Sequence, residues 1–136
     1  MKEIDKELLI KDLSARIFYG VKVNIERDFP NNPQIVERIA KDGEIIVNGI
    51  LAYDIYYYKP YLRPLSSMTE GERKEYESFI FTHHHEWDGY GTSTRYVEAV
   101  EAKRYIDWLI AHHFDYYGLI PMGLALEAKE GMYKID

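Results

Sequence analysis

The fold class of this chain is decided by residues 34–58, QIVERIAKDGEIIVNGILAYDIYYY. This stretch joins β-branched runs through two dipeptides, Asp42-Gly43 and Asn48-Gly49, and such dipeptides are the strongest short signals for a hairpin. Asp42-Gly43 predicts a type I′ turn, which needs a positive φ at both residues, and Asn48-Gly49 predicts a second such turn. The strands predicted around these turns cover residues 34–41, 44–48 and 50–58.

The residues on the N-terminal side change their hydrophobic period near Gly20. Before it, apolar side chains recur every three to five residues, which predicts an amphipathic helix over residues 2–18, with Asp12 and Arg16 as a favourable i,i+4 pair. After it, Val21, Val23 and Ile25 alternate with polar residues, which is typical of a half-buried strand. We expect residues 28–33 to form a loop and residues 61–63 to form at most a short edge piece, because prolines flank or interrupt both.

The remaining residues favour helices. Thr69 and Glu72 fit a capping box, which predicts a helix from there to about residue 83. A loop over 84–94, a second helix over 95–113 and a short strand over 124–128 follow. The sequence therefore predicts an α+β fold: an N-terminal helix, a small bent antiparallel sheet or SH3-like partial barrel of four to five short strands, two longer helices and a C-terminal strand. We expect one domain over 1–136; the alternative is a sheet subdomain, 1–64, with a helical layer, 65–136.

Charge is distributed unevenly over the 136 residues. Residues 1–64 carry 10 basic and 10 acidic side chains, whereas residues 65–136 carry 7 basic and 13 acidic ones and all five histidines. Binding to nucleic acid is disfavoured, because its phosphates require clustered Lys and Arg. The chain has no cysteine, which excludes disulfides and thiolate chemistry. Its apolar runs are too short for a membrane span or a signal peptide, so we expect a cytoplasmic protein that does not enter a membrane.

Two histidine clusters are candidates for metal binding. His83, His84 and His85 lie at a predicted helix end, and His112, His113 and Asp115 lie at the end of the last helix. If the helices pack as an antiparallel hairpin, one or two residues of each cluster could share a metal. The alternative is that His83 and His113 are partly buried, and that one of His112 and His113 places a positive charge at the helix C-terminus.

Motifs of catalysis are missing from the sequence. None of the serines stands in a Gly-x-Ser-x-Gly elbow, and Gly89-Tyr-Gly91 lacks the lysine of a phosphate-binding loop. We therefore expect no enzyme activity and no cofactor.

The tyrosines form the third candidate site. The chain has 13 tyrosines, and five of them fall between residues 53 and 61: Tyr53, Tyr56, Tyr57, Tyr58 and Tyr61. On a strand, Tyr56 and Tyr58 would face one side and Tyr57 the other. Exposed tyrosines would anchor a protein interface or stack on bases, whereas buried ones would fill the space between sheet and helices.

Several longer strings resemble a family of proteins. LIKDLSAR (9–16) with YGVKV (19–23), KPYLRPLSSMTE (59–70), DWLIAHHFDYYGLI (107–120) and GLALEA (123–128) are similar to strings in a group of small uncharacterised proteins of gut anaerobic bacteria and of their phages and prophages. The resemblance spans both ends and the centre of the chain. It implies a phage or mobile-element setting, and it implies no catalytic or binding residue.

These observations favour a small non-catalytic accessory protein that acts by binding another protein, with a homodimer as an expected form. The alternatives are a histidine-based metal-binding protein or metalloenzyme, and a nucleic-acid-related module or acidic mimic of the nucleic-acid backbone.

Overall fold

The computed structural model describes residues 1–83 and 94–133, with the side chains of residues 1–78 and 100–133. The fold is α+β, as the sequence predicts. Helix α1 (Glu3–Arg16) comes first, the strands follow, and α2 (Glu70–His83) and α3 (Thr94–Ala111) precede the last strand. The strands of the described residues are β1 (Lys22–Ile25), β2 (Phe29–Ile35), β3 (Arg38–Ile39), β4 (Ile45–Val47), β5 (Leu51–Tyr53), β6 (Lys59–Leu62) and β7 (Leu126–Glu127).

The strands of the described residues form two sheets. One has the order β2-β1-β6-β7 and the other β3-β4-β5. All neighbours are antiparallel except β6 and β7, which run parallel. The described strands therefore do not form one all-antiparallel sheet, and they show no closed barrel. The reason is a long-range pairing: β7 comes after both long helices, and only such a crossover allows a parallel neighbour.

The two predicted turns differ in outcome. Asn48 and Gly49 both have positive φ, 50° and 81°, as predicted. In the other turn only Gly43 has positive φ, 92°, and its N–H donates to the Ala40 carbonyl at 2.9 Å. That turn is consequently not type I′ but a type I turn followed by a left-handed glycine. A Cβ at position 43 would also lie 3.0 Å from Ile55 Cδ1, so glycine is required for space as well.

Three further strand predictions are corrected by the structure. Residues 28–33 are largely strand β2, whose two prolines are tolerated because β2 lies at a sheet edge. Residues 61–63 are not an edge piece, since β6 lies between β1 and β7. Pro60 is accommodated there because β7 begins opposite Tyr61, so no bond from β7 is lost at position 60. The predicted strand 50–58 is a strand only over β5, and Ile55–Tyr57 is a 3₁₀ turn.

Helix α1 packs on the sheets through Leu9 and Leu13, which are fully buried together with Val21, Val23 and Ile25. The same helix also buries an ion pair. Arg16 Nε donates to Asp12 Oδ2 at 2.8 Å, and neither side chain is exposed to solvent. Arg16 Nη2 donates to the Phe114 carbonyl at 2.6 Å. The N-terminal helix is thus joined to a residue that follows it by 98 positions.

The C-terminal segment completes the larger sheet through one hydroxyl group. The pairs Val23–Pro60 and Asn24–Lys59 are followed by a gap where Lys22 would meet Tyr61. Tyr133 Oη fills this gap: it accepts from the Lys22 N–H at 2.8 Å and donates to the Tyr61 carbonyl at 2.7 Å. The strands separate there because Arg63 pairs instead with residues at the end of α3, its N–H donating to the His113 carbonyl at 2.8 Å.

Candidate functional site

The five clustered tyrosines divide into a buried and an exposed set. Tyr53, Tyr58 and Tyr61 are buried, whereas Tyr56 is 61% and Tyr57 49% exposed. The cause is local: the Asp54 carboxylate accepts from the Ile55 N–H at 2.6 Å and starts the 3₁₀ turn Ile55–Tyr57. The turn directs Ile55 into the core and leaves the next two rings outside. The strand-based prediction that Tyr56 and Tyr58 share a face is wrong for this reason.

The buried tyrosines have structural partners. Tyr58 Oη donates to the Gly43 carbonyl at 2.6 Å, and burial raises the pKa of this phenol well above its ordinary value of 10. Tyr53 Oη donates to Asp28 Oδ2 at 2.6 Å. These hydroxyls connect the smaller sheet to its neighbours and are already occupied. Of the five, Tyr56 and Tyr57 are therefore the residues that present most ring surface to a partner.

Both exposed rings lie beneath cations. Lys6 Nζ is 5.9 Å from the centroid of Tyr56, and the Arg27 guanidinium is 4.8 Å from the centroid of Tyr57. Such contacts hold an aromatic ring in place at modest energy. At exposed sites such a contact contributes about 0.5–1 kcal/mol, so it favours the observed orientation of each ring.

A groove of about 450 Å³ lies beside these rings. We call it the tyrosine groove; its apolar lining includes Leu9, Ile55, Tyr56, Tyr57, Leu124 and Leu126. The lining comes from α1, the 3₁₀ turn and the last strand, so the groove exists only in the folded chain. Glu26 and Lys59 add one charge of each sign to its wall.

The histidines of the last helix are engaged inside the protein. The His112 ring stacks on Trp108 with centroids 4.0 Å apart, and its Nδ1 lies 2.8 Å from the Trp108 carbonyl. The His113 ring stacks on Tyr133 at 3.7 Å and is buried. Burial lowers the pKa of His113 from 6.5 to about 4, so this ring is neutral at pH 7 and does not supply the positive charge considered for the helix end.

His113 also ends α3 in an unusual way. Its φ is 65°, its N–H donates to the Ile110 carbonyl at 3.0 Å, and the Phe114 N–H donates to the Leu109 carbonyl at 2.8 Å. This pair of bonds is a Schellman motif, in which the left-handed position is usually glycine. The helix therefore ends two residues before the predicted residue 113.

Asp115 acts as an acceptor for the following turn. Its carboxylate accepts from the N–H groups of Gly118, Leu119 and Ile120 at 3.0, 2.8 and 2.9 Å. Among the side chains that the structure describes, those of residues 1–78 and 100–133, no group of three His, Asp or Glu is arranged to hold a metal. The side chains of His83, His84 and His85 lie outside the described part of the structure.

A second and larger groove, of about 1120 Å³, lies between β7 with its following turn and the start of α2. We call it the acidic groove, because its charged lining consists of Glu72, Glu75, Glu127 and Glu130 with Arg63 and Lys129. Arg63 is already paired: its Nη2 lies 2.6 Å and its Nη1 2.8 Å from the Glu72 carboxylate oxygens. Mainly because of this pairing, the pKa of Glu72 is lowered to about 2.

No motif of the sequence marks this groove, since its walls are more than fifty residues apart in the chain. One signal could have pointed to it: the acidic excess of residues 65–136 includes all four of its carboxylates.

In the part of the chain that the structure describes, the α+β fold thus carries the tyrosine groove and the acidic groove, which differ in chemistry. No family model, curated protein or solved structure matches the chain. Among the helices described here, none combines the length and the apolar character needed to cross a bilayer.

Proposed function

We propose that this chain is a small non-catalytic accessory protein that acts by protein–protein contact, and that its partner at the tyrosine groove is a second copy of the same chain. The observation that carries the proposal is the pair of exposed rings, Tyr56 and Tyr57, at the edge of an apolar groove. Tyrosine is one of the residue types enriched among those that dominate binding energy in interfaces, together with Trp and Arg.

The shape of this surface supports the proposal of self-association. A two-fold interface places the same patch on both sides, so the patch must contain both protruding groups and a cavity that receives them. The tyrosine groove offers the cavity, and Met1, Tyr56 and Tyr57 around it are protruding side chains with about half or more of their surface exposed.

Charge also favours a second copy at this surface. Residues 1–64, which supply most of the lining, have no net charge, whereas residues 65–136 carry the entire excess of −6. Two copies that meet through the neutral half bring no excess of like charge together, and Glu26 of one copy can face Lys59 of the other. Contact through the acidic half would be repulsive.

The resemblance to proteins of gut anaerobic bacteria and their phages supports a phage or mobile-element setting for this accessory role. A homodimer suits that role, since it presents any further binding surface twice.

Sedimentation velocity over a range of micromolar concentrations tests the proposal. We expect the wild-type chain to sediment as a dimer at the upper end and the Tyr56→Ser/Tyr57→Ser variant as a monomer throughout. Tyr117→Ser is the matched control, because Tyr117 is 47% exposed but does not line the tyrosine groove. A wild-type chain that stays monomeric, or a double variant that still dimerises, would overturn the proposal.

A further inference from the structure

Strand β7 lies at an edge of the larger sheet and contributes Glu127 to the lining of the acidic groove. Strand β7 pairs with β6 on one side, and no other described strand pairs with it. On a strand, the N–H and C=O of one residue point to the same side, and those of the next residue point to the opposite side. The Ala128 N–H points to β6, where it donates to the Leu62 carbonyl at 2.7 Å. The N–H and C=O of Glu127 therefore point to the opposite side, and Glu127 itself is exposed and lines the groove.

The size of the groove indicates the size of its ligand. Pockets for small molecules usually measure about 300–1,000 Å³ and enclose most of the ligand. The acidic groove measures about 1120 Å³ and is open to solvent along its length between β7 and α2. An extended segment of polypeptide fits such a groove better than a compact small molecule.

The charges of the groove select a basic ligand. Arg63 and Glu72 neutralise each other through two hydrogen bonds. The remaining charged side chains are Glu75, Glu127 and Glu130 against Lys129, which leaves an excess of two negative charges. Glu75 is positioned by the indole N–H of Trp108, which donates to its Oε1 at 3.2 Å. Lysine or arginine side chains of a ligand would find these carboxylates, whereas an acidic peptide or a nucleic acid would be repelled.

We propose that the acidic groove binds an extended, basic segment of a partner protein, which adds as a strand to the free edge of β7. The peptide groups of the segment pair with the N–H and C=O of Glu127, and its basic side chains face Glu75 and Glu130. Strand addition of this kind takes its affinity from backbone bonds and its specificity from the side chains that the groove accepts.

A synthetic probe tests this proposal without knowledge of the natural partner. The probe is a fluorescein-labelled peptide of alternating lysine and valine, and its binding is followed by fluorescence anisotropy. A second probe has the same charge, but every valine is replaced by proline, which has no N–H to donate to a strand. We expect the lysine–valine peptide to bind, and the proline peptide to bind at least about tenfold more weakly.

Charge-reversal variants locate the site. Glu127→Lys/Glu130→Lys should weaken binding of the lysine–valine peptide by about tenfold or more. Glu3→Lys/Glu7→Lys is the matched control, because it makes the same change of charge on the exposed surface of α1, outside the groove. It should change the affinity by no more than about twofold, which is the effect of net charge alone.

The outcomes separate this inference from the proposed dimer. The Tyr56→Ser/Tyr57→Ser variant should bind the peptide as the wild type does, since the acidic groove shares no lining residue with the tyrosine groove. Absence of peptide binding, equal binding of the proline peptide, or equal losses in the two charge-reversal variants would each overturn the inference.

Discussion

Replacement of Arg16 by methionine should destabilise the fold by about 3–5 kcal/mol, because it leaves a buried carboxylate without its partner. Arg16 and Asp12 have no exposed side-chain surface, so the Asp12 carboxylate cannot turn to water when the guanidinium is gone. The substitution removes both bonds to Asp12, at 2.8 and 3.1 Å, and the bond to the Phe114 carbonyl at 2.6 Å.

This loss is a large fraction of the stability of an ordinary domain, which is about 5–15 kcal/mol. Urea unfolding followed by tryptophan fluorescence, to which the buried Trp108 contributes, measures it, with circular dichroism to show that the variant is folded in buffer. The Asp12→Leu/Arg16→Met variant should recover part of the loss, since it removes the unpaired charge as well.

Lys103→Met is the matched control. Lys103 and Asp107 form a pair with the same i,i+4 spacing at 2.6 Å, but their side chains are 73% and 48% exposed. Removal of an exposed pair of this kind costs less than about 1 kcal/mol. If Arg16→Met cost no more than Lys103→Met, burial would not be what makes the Asp12–Arg16 pair important, and the reasoning would be refuted.

Three further variants test other parts of the structure. As the pH falls from 6.5 to 4, the unfolded chain binds a proton at His113 and the folded chain does not yet do so. The contribution of the neutral His113 ring to the free energy of unfolding is therefore fully present above pH 6.5, and it falls by up to about 3 kcal/mol toward pH 4. The His113→Asn variant should flatten the dependence of the unfolding free energy on pH, measured by urea titrations at several pH values; asparagine is chosen because it tolerates positive φ. The control variant His112→Asn should keep that dependence. An unchanged dependence in His113→Asn would contradict its assignment to His113. Tyr133→Phe should cost about 1–3 kcal/mol in urea unfolding, because the Lys22 N–H and the Tyr61 carbonyl lose their shared partner; a loss below that range would mean that water replaces the hydroxyl. Thr69→Ala should cost about 1 kcal/mol, since its Oγ1 accepts from the Glu72 N–H at 3.1 Å at the start of α2; a cost no greater than that of Ser14→Ala, an exposed serine inside α1, would argue against the cap.

Features that depend on neighbours in sequence could be predicted. The capping box is formed as expected, with the Thr69 N–H donating to Glu72 Oε1 at 3.0 Å. Helix α1, strand β1 and the turn at Asn48-Gly49 also follow from periodicity and from turn chemistry. The position of β6 could not be predicted from its neighbours in sequence, because β6 is central only through its pairing with β7, which follows it by more than sixty residues.

For the candidate sites, too, the sequence indicated some features and the folded structure decided others. The tyrosine cluster was visible as composition, but which rings are exposed depends on the 3₁₀ turn that Asp54 begins. The Asp12–Arg16 pair was predicted from its spacing. Its complete burial, in contrast, depends on Phe114, which follows Arg16 by 98 positions in the sequence. For the acidic groove the sequence offered only the acidic excess of residues 65–136, because no local pattern specifies that β7 and α2 face each other.

The sequence by itself therefore determined the helices, the turn at Asn48-Gly49, the α+β class and the acidic excess of the second half. These depend on hydrogen bonds and side-chain spacing within a few residues, which are the same in any context. Only the tertiary structure decided the strand order, the burial of Arg16 and His113, and the two grooves. These depend on which distant segments exclude water from one another, and that is a property of the packed chain as a whole.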